Sequence, residues 1–141
     1  MQSDVFRINQ GDGWYRPSVP ALRPPATLAA MQKLSLDALS REHLEKAAAT
    51  ASGRSASTVY GGHEHLLRQT LIALTSGTSL SEHENPGEAT VHVLRGRVRL
   101  VAGDDSWEGR TGDLIIVPPA RHSLEALENA VVLLTVGKDS S

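Results

Sequence analysis

Six histidines and no cysteine set the chemistry open to this chain of 141 residues. Imidazole carries protons near neutral pH and ligates first-row metals, so its spacing is the first thing to read. His83 stands just before a Pro86-Gly87 turn and a run of alternating apolar residues. His122 follows a second apolar run that ends in Pro118 and Pro119. His63 and His65 fall two apart, on the same face of an extended segment as Gln69. Without cysteine there is no thiolate catalysis, no disulfide and no cysteine-based zinc site, which fits a reducing compartment. No Ser-His-Asp order, phosphate-cradling glycine loop or placeable lysine nucleophile accompanies the histidines.

The elements that must position these groups fall in three stretches. With 40% hydrophobic residues the chain can bury one core and is too short for two ordinary domains. Residues 1–34 hold Pro17, Pro20, Pro24 and Pro25 and read as a proline-rich arm, since each proline removes a donor and disfavours helix before it. Residues 35–53 read as an amphipathic helix: Leu36, Leu39, Leu44, Ala47, Ala48 and Ala51 form a stripe, and Gly53 stands past its end. That stripe is expected against the outside of a sheet or a second subunit, with His43 solvated. Residues 59–138 read as a barrel of short strands, predicted over 63–74, 79–82, 89–94, 97–101, 114–117 and 131–136. Short strands punctuated by Gly, Pro, Asn and Asp imply an antiparallel barrel or sandwich, without crossover helices. The segment 104–109 is read as a loop whose Trp107 covers the barrel end.

Within the barrel, Arg95 and Gly96 read as a two-residue hairpin turn pairing Val93 with Val98, His92 with Arg99 and Val91 with Leu100. Directly opposed residues share a face, so Ala89, Val91, Val93, Val98, Leu100 and Ala102 form one apolar face. The other face carries His92, Arg97 and Arg99. A one-residue slip would bury two arginines, which sets His92 outward. Glu88 shares that outward face, and Glu108 and Asp113 sit in turns, so no carboxylate base is predicted in the interior.

In order, His83, Gly87, Gly96, residues 112–118 and His122 resemble the two signature motifs of the cupin superfamily, across residues 70–136. The resemblance implies an all-β double-stranded β-helix, or jelly roll, with one N-terminal helix. In the family's first motif a His, one residue, a second His, three or four residues, a Glu, six residues and a Gly follow in order. Anchoring on His83 and Gly96 sets Asn85 at the second histidine and Ala89 at the glutamate. Gly112, Pro118 and His122 match the second motif, with Ala120 where a glycine is expected and a loop one residue shorter.

The resemblance therefore implies a depleted metal site: His83 and His122 remain, holding at most a weakly bound divalent transition metal, unless His63 or His65 turns inward with Gln69 to complete it. Two functions follow. One is a small-molecule-binding or regulatory domain, with His83, His122 and Gln69 as polar contacts among Val91, Val93, Leu100 and Ile116. The other is a metal-dependent oxygenase or isomerase with a nonstandard ligand set. The net charge of −2, with scattered Lys and Arg, offers no basic stripe to phosphates, so no nucleic-acid partner is expected. No apolar run is long enough to span a membrane and no signal-peptide pattern opens the chain, so a cytoplasmic protein is expected. The helix stripe and the outward Leu94 and Val101 need cover, so a homodimer is expected, with a small-molecule ligand.

Overall fold

The computed structural model describes residues 31–83 and 87–138. Most of the proline-rich segment and Asn85 lie outside the described residues. Among the described residues one helix, α1 (Leu36–Ala48), leads into nine strands. Ser35 caps it: the Ser35 hydroxyl accepts the Ala38 N–H at 3.0 Å. Asp37 in the first turn and Lys46 in the last oppose the partial charges of the helix ends. The helix stops five residues short of Gly53, because the Ala49 N–H is shared between the carbonyls of Glu45 and Lys46 and the turn tightens.

The strands are β1 (Arg54–Gly61), β2 (Leu67–Leu74), β3 (Ser79–His83), β4 (Gly87–Arg95), β5 (Arg97–Ala102), β6 (Asp105–Arg110), β7 (Leu114–Ile116), β8 (His122–Ala126) and β9 (Ala130–Lys138). They form a five-stranded sheet in the order β1-β2-β9-β4-β7 and a four-stranded sheet in the order β3-β8-β5-β6. Every pairing is antiparallel. The inner faces of both sheets meet in one core that includes Ile72, Leu74, Val91, Val93, Val98, Leu100, Leu124 and Val132. This is the jelly roll that the motifs implied.

Four expectations need correction. Residues 89–102 do not form a hairpin: β4 pairs with β7 and β9, whereas β5 pairs with β6 and β8. At Gly96 the chain leaves one sheet for the other with φ of +79°, and a Cβ there would stand 2.1 Å from the Asn129 carbonyl oxygen. The corner thus admits only glycine. The face assignment survives the error, because alternation counted from Gly96 runs the same way along both strands and both inner faces line one core. Val93 and Val98 are buried, while Arg97 and Arg99 lie on the outside, paired with Glu108, Glu125 and Glu128.

Second, residues 63–66 are turn, and β2 starts at Leu67. Third, residues 105–110 are strand β6, not loop; a polar edge strand with little to bury carries no apolar alternation to detect. β1 and β8 lie outside the predicted strands for a similar reason: RSASTVYG is rich in small polar residues, and HSLEA has Leu124 as its one large apolar residue.

Fourth, His43 is not solvated. It is 6% exposed on the sheet-facing side of α1, with Nδ1 2.6 Å from the Ser55 hydroxyl and Nε2 3.1 Å from that of Ser57. Ser55 and Ser57 lie opposite Ala73 and Leu71 on the outer face of the sheet. The helix stripe of Leu36, Leu39, Leu44 and Ala47 packs on that face, against Leu71, Ala73, Val131 and Leu133. The histidine joins helix to strand where no apolar group would satisfy the hydroxyls.

Candidate functional site

The jelly roll brings one described imidazole to its interior. On β8 the residues His122, Leu124 and Ala126 alternate inward, and His122 is 5% exposed. The Pro118–Ala120 turn ahead of it closes with an Ala120 N–H to Pro118 carbonyl bond of 2.8 Å. The ring's Nδ1 lies 2.9 Å from the Ala120 carbonyl. A carbonyl only accepts, so Nδ1 carries a proton and donates it to Ala120. Across the ladder, His83 is the backbone partner of His122, after an irregularity that separates it from the Leu80–Leu124 pair. The topology thus sets the two histidines of the motifs level on neighbouring strands.

Ala89 lies buried on the inner face of β4, opposite Val136, and its carbonyl accepts the Val117 N–H at 3.0 Å. Val91, Val93 and Leu100 lie deeper in the same core. Ser40, His43 and His122 are the buried polar residues among those described; the first two lie on the helix, so His122 alone faces the barrel interior. The described interior holds no buried carboxylate.

Other residues tied to the site by sequence sit elsewhere. Gln69 is on the outer face of β2, where its amide nitrogen donates to the Thr135 hydroxyl at 3.2 Å. Ile116 points outward and is 70% exposed; Ile115 is the residue of β7 that enters the core. The apolar run 114–117 gave no alternation to tell the two faces apart. His63 and His65 occupy the β1–β2 turn, His65 with its ring edge-on to Tyr60 at 5.4 Å, so neither shares an inward strand face with Gln69. Gln69's partner Thr135 and Ile116 border a hollow of about 620 Å³ with Leu67, Ala89, Thr90 and Pro119.

A metal of the kind this fold family holds needs three or four nitrogen or oxygen donors around one point. Among the described residues no three His, Asp or Glu side chains cluster in that way. Ala89 has no donor atom where the motif has a carboxylate. The described donor set does not fit such an ion.

Residues 70–137 match the family model described as a cupin domain. Solved structures share the fold. A conserved protein of unknown function from Streptococcus pyogenes is 25% identical, with a TM-score of 0.59 over 65% of this chain and 80% of that one. A cupin 2 conserved barrel domain protein from Leptotrichia buccalis is 24% identical, with a TM-score of 0.57 over 63% of this chain and 43% of its own. A cupin superfamily protein from Desulfitobacterium hafniense is 19% identical, with a TM-score of 0.54 over 60% of this chain and 79% of its own. No curated protein matches the chain. With its two motifs, its jelly roll and these matches, the chain belongs to the cupin superfamily. No helix among the described residues is long and apolar enough to cross a membrane.

Proposed function

We propose that this domain is a small-molecule-binding or regulatory cupin whose metal site is degenerate, with His122 and His83 as its polar contacts at the barrel end. The observation that carries this reading is Ala89: a buried methyl group on the inner face, packed opposite Val136, stands where the motif has its carboxylate ligand. A ligand there meets one described imidazole amid aliphatic walls, a composition suited to a mainly apolar molecule with one hydrogen-bonding group. Such a site orients a ligand better than it activates one, since the described interior has no acid to work with the histidine.

Restoring the missing donors tests the reading. Asn85→His with Ala89→Glu supplies an imidazole and a carboxylate, and divalent metal affinity is expected to rise by orders of magnitude, read by calorimetric titration. In chelator the new buried carboxylate should lower the melting temperature, and added metal should recover it. One equivalent of transition metal bound tightly by the unaltered protein would instead favour the metal-dependent enzyme. His92→Ala, on the outer face, is expected to leave ligand affinity unchanged, whereas His122→Ala weakens it.

A further inference from the structure

Strand β6 is an edge of the four-stranded sheet, and alternate residues along it turn their backbone groups away from β5. The Arg97 carbonyl turns toward β8, accepting from Leu127 and Glu128 at 2.9 and 3.2 Å, while the Gly96 carbonyl turns the other way to accept from Thr111 at 3.1 Å. Alternation then turns Val98, Leu100 and Ala102 toward β6, and turns their partners Gly109, Trp107 and Asp105 toward β5. Ser106, Glu108 and Arg110 face away. Arg110 is capped within its own chain: its N–H donates to Asp113 Oδ2 at 2.8 Å, and its carbonyl accepts the Asp113 N–H at 2.8 Å. Ser106 and Glu108 each present an N–H and a C=O for which no described residue is a partner.

The side chains along this edge are self-complementary. Trp107, 46% exposed, lies between the two open residues. Asp104 and Arg110, both exposed at opposite ends, have no ion pair among the described residues.

We propose that β6 pairs antiparallel with β6 of a second copy, about a two-fold axis at Trp107. This register sets Ser106 against Glu108 of the second copy and Glu108 against its Ser106. All the open backbone groups of both edges are then used. It also sets Asp104 level with Arg110 of the second copy, twice by symmetry. An axis at Glu108 would set two glutamates face to face and turn Ser106 to the capped Arg110; an axis at Ser106 would set Glu108 against Asp104. Both oppose like charges, which cross-strand pairs disfavour. A shift by one residue would meet open groups with groups already bonded to β5. The two Trp107 rings come together at the axis, where their contact removes apolar area from water. The interface does not depend on what the barrel binds.

The absence of cysteine makes the test direct. At the axis the two residues at position 107 form a non-hydrogen-bonded pair, with Cα atoms about 4.5 Å apart, within disulfide reach. Trp107→Cys should therefore oxidise to a covalent dimer on a non-reducing gel, whereas Leu114→Cys, exposed on the other sheet, should not. In sedimentation the unaltered full chain is expected to dimerise. Ser106→Pro removes an outward N–H that no described residue uses, and should weaken association about tenfold or more with the circular dichroism of folded strands retained. Asp104→Arg and Arg110→Asp should each weaken the dimer, and the two combined should restore it. A monomeric unaltered chain at about 100 μM, where a dimer of micromolar affinity would be formed, overturns the proposal. So does equal cross-linking at Leu114→Cys, or a double charge swap that restores nothing.

Discussion

The outer faces of the two sheets are finished in opposite ways. The five-stranded sheet carries α1 across part of its outer face, burying Leu71, Ala73, Val131 and Leu133 beneath the helix stripe and holding His43 between two serine hydroxyls. The four-stranded sheet is covered by no described element; Arg97 and Arg99 lie across it in a ladder with Glu108, Glu125 and Glu128, each pair 3.2–3.5 Å apart. Apolar area removed from water stabilises far more than ion pairs left in it. The helix-covered face should therefore carry much of the stability that lies outside the core, and the charged face should carry solubility and register.

The largest effect is expected at Leu71, which is fully buried between helix and sheet. Leu71→Ala should cost about 2–5 kcal/mol in urea denaturation. A loss no larger than that at the charged face would mean that the helix contributes nothing. His43→Ala comes next, at about 1–3 kcal/mol, because two partly buried hydroxyls lose their partner. Adding Ser55→Ala and Ser57→Ala to it should recover part of that loss, since a clasp replaced as a whole leaves no orphaned group. If the triple variant is worse than the sum of its parts, the clasp is not what holds the helix.

Arg99→Ala, on the charged face, should change stability by less than about 1 kcal/mol, as its partners are well solvated. The difference should shrink further in about 1 M salt, where the screening length is close to 3 Å. The smallest effect belongs to Asp37, whose side chain bonds Arg95 of β4 and Arg41 of its own helix. The Arg95 hydrogen bond first, then that of Arg41, holds its carboxyl below the ordinary value of 3.8. A lowered folded-state pKa gives stability that is present above 3.8 and is lost as pH falls through the folded value. Thermal melts from pH 5 to pH 2 should decline less steeply in Asp37→Asn than in the unaltered protein; parallel curves would show that these fully solvated contacts add nothing.

Much of the architecture was legible in the residues themselves. The period-two pattern over Ala89–Ala102 sorted the inner residues from the outer ones correctly even though the strands do not pair as a hairpin, because alternation is a property of each extended segment alone. The helix was legible through its stripe, and the jelly roll through two motifs in order; the Ser35 cap emerged only in the structure. In the site, the sequence brought His83 and His122 together by resemblance, and the ladder sets them level on β3 and β8.

What the residues could not decide is what lies across each face. Whether Ile115 or Ile116 is buried depends on which side of β7 meets the core, and an unbroken apolar run has no polar residue to mark that side. His43 looks like any surface histidine until β1 brings Ser55 and Ser57 beneath it from the next element. Gln69 bonds Thr135, a residue far along the chain that is adjacent only through the β2–β9 pairing. Strand β6 has no apolar signature because an edge strand buries little, so its existence and its open backbone groups follow from sheet order alone. Local pattern fixes periodicity, since the backbone alone sets it. Tertiary structure fixes partnership, since the partner's position depends on the path of the rest of the chain.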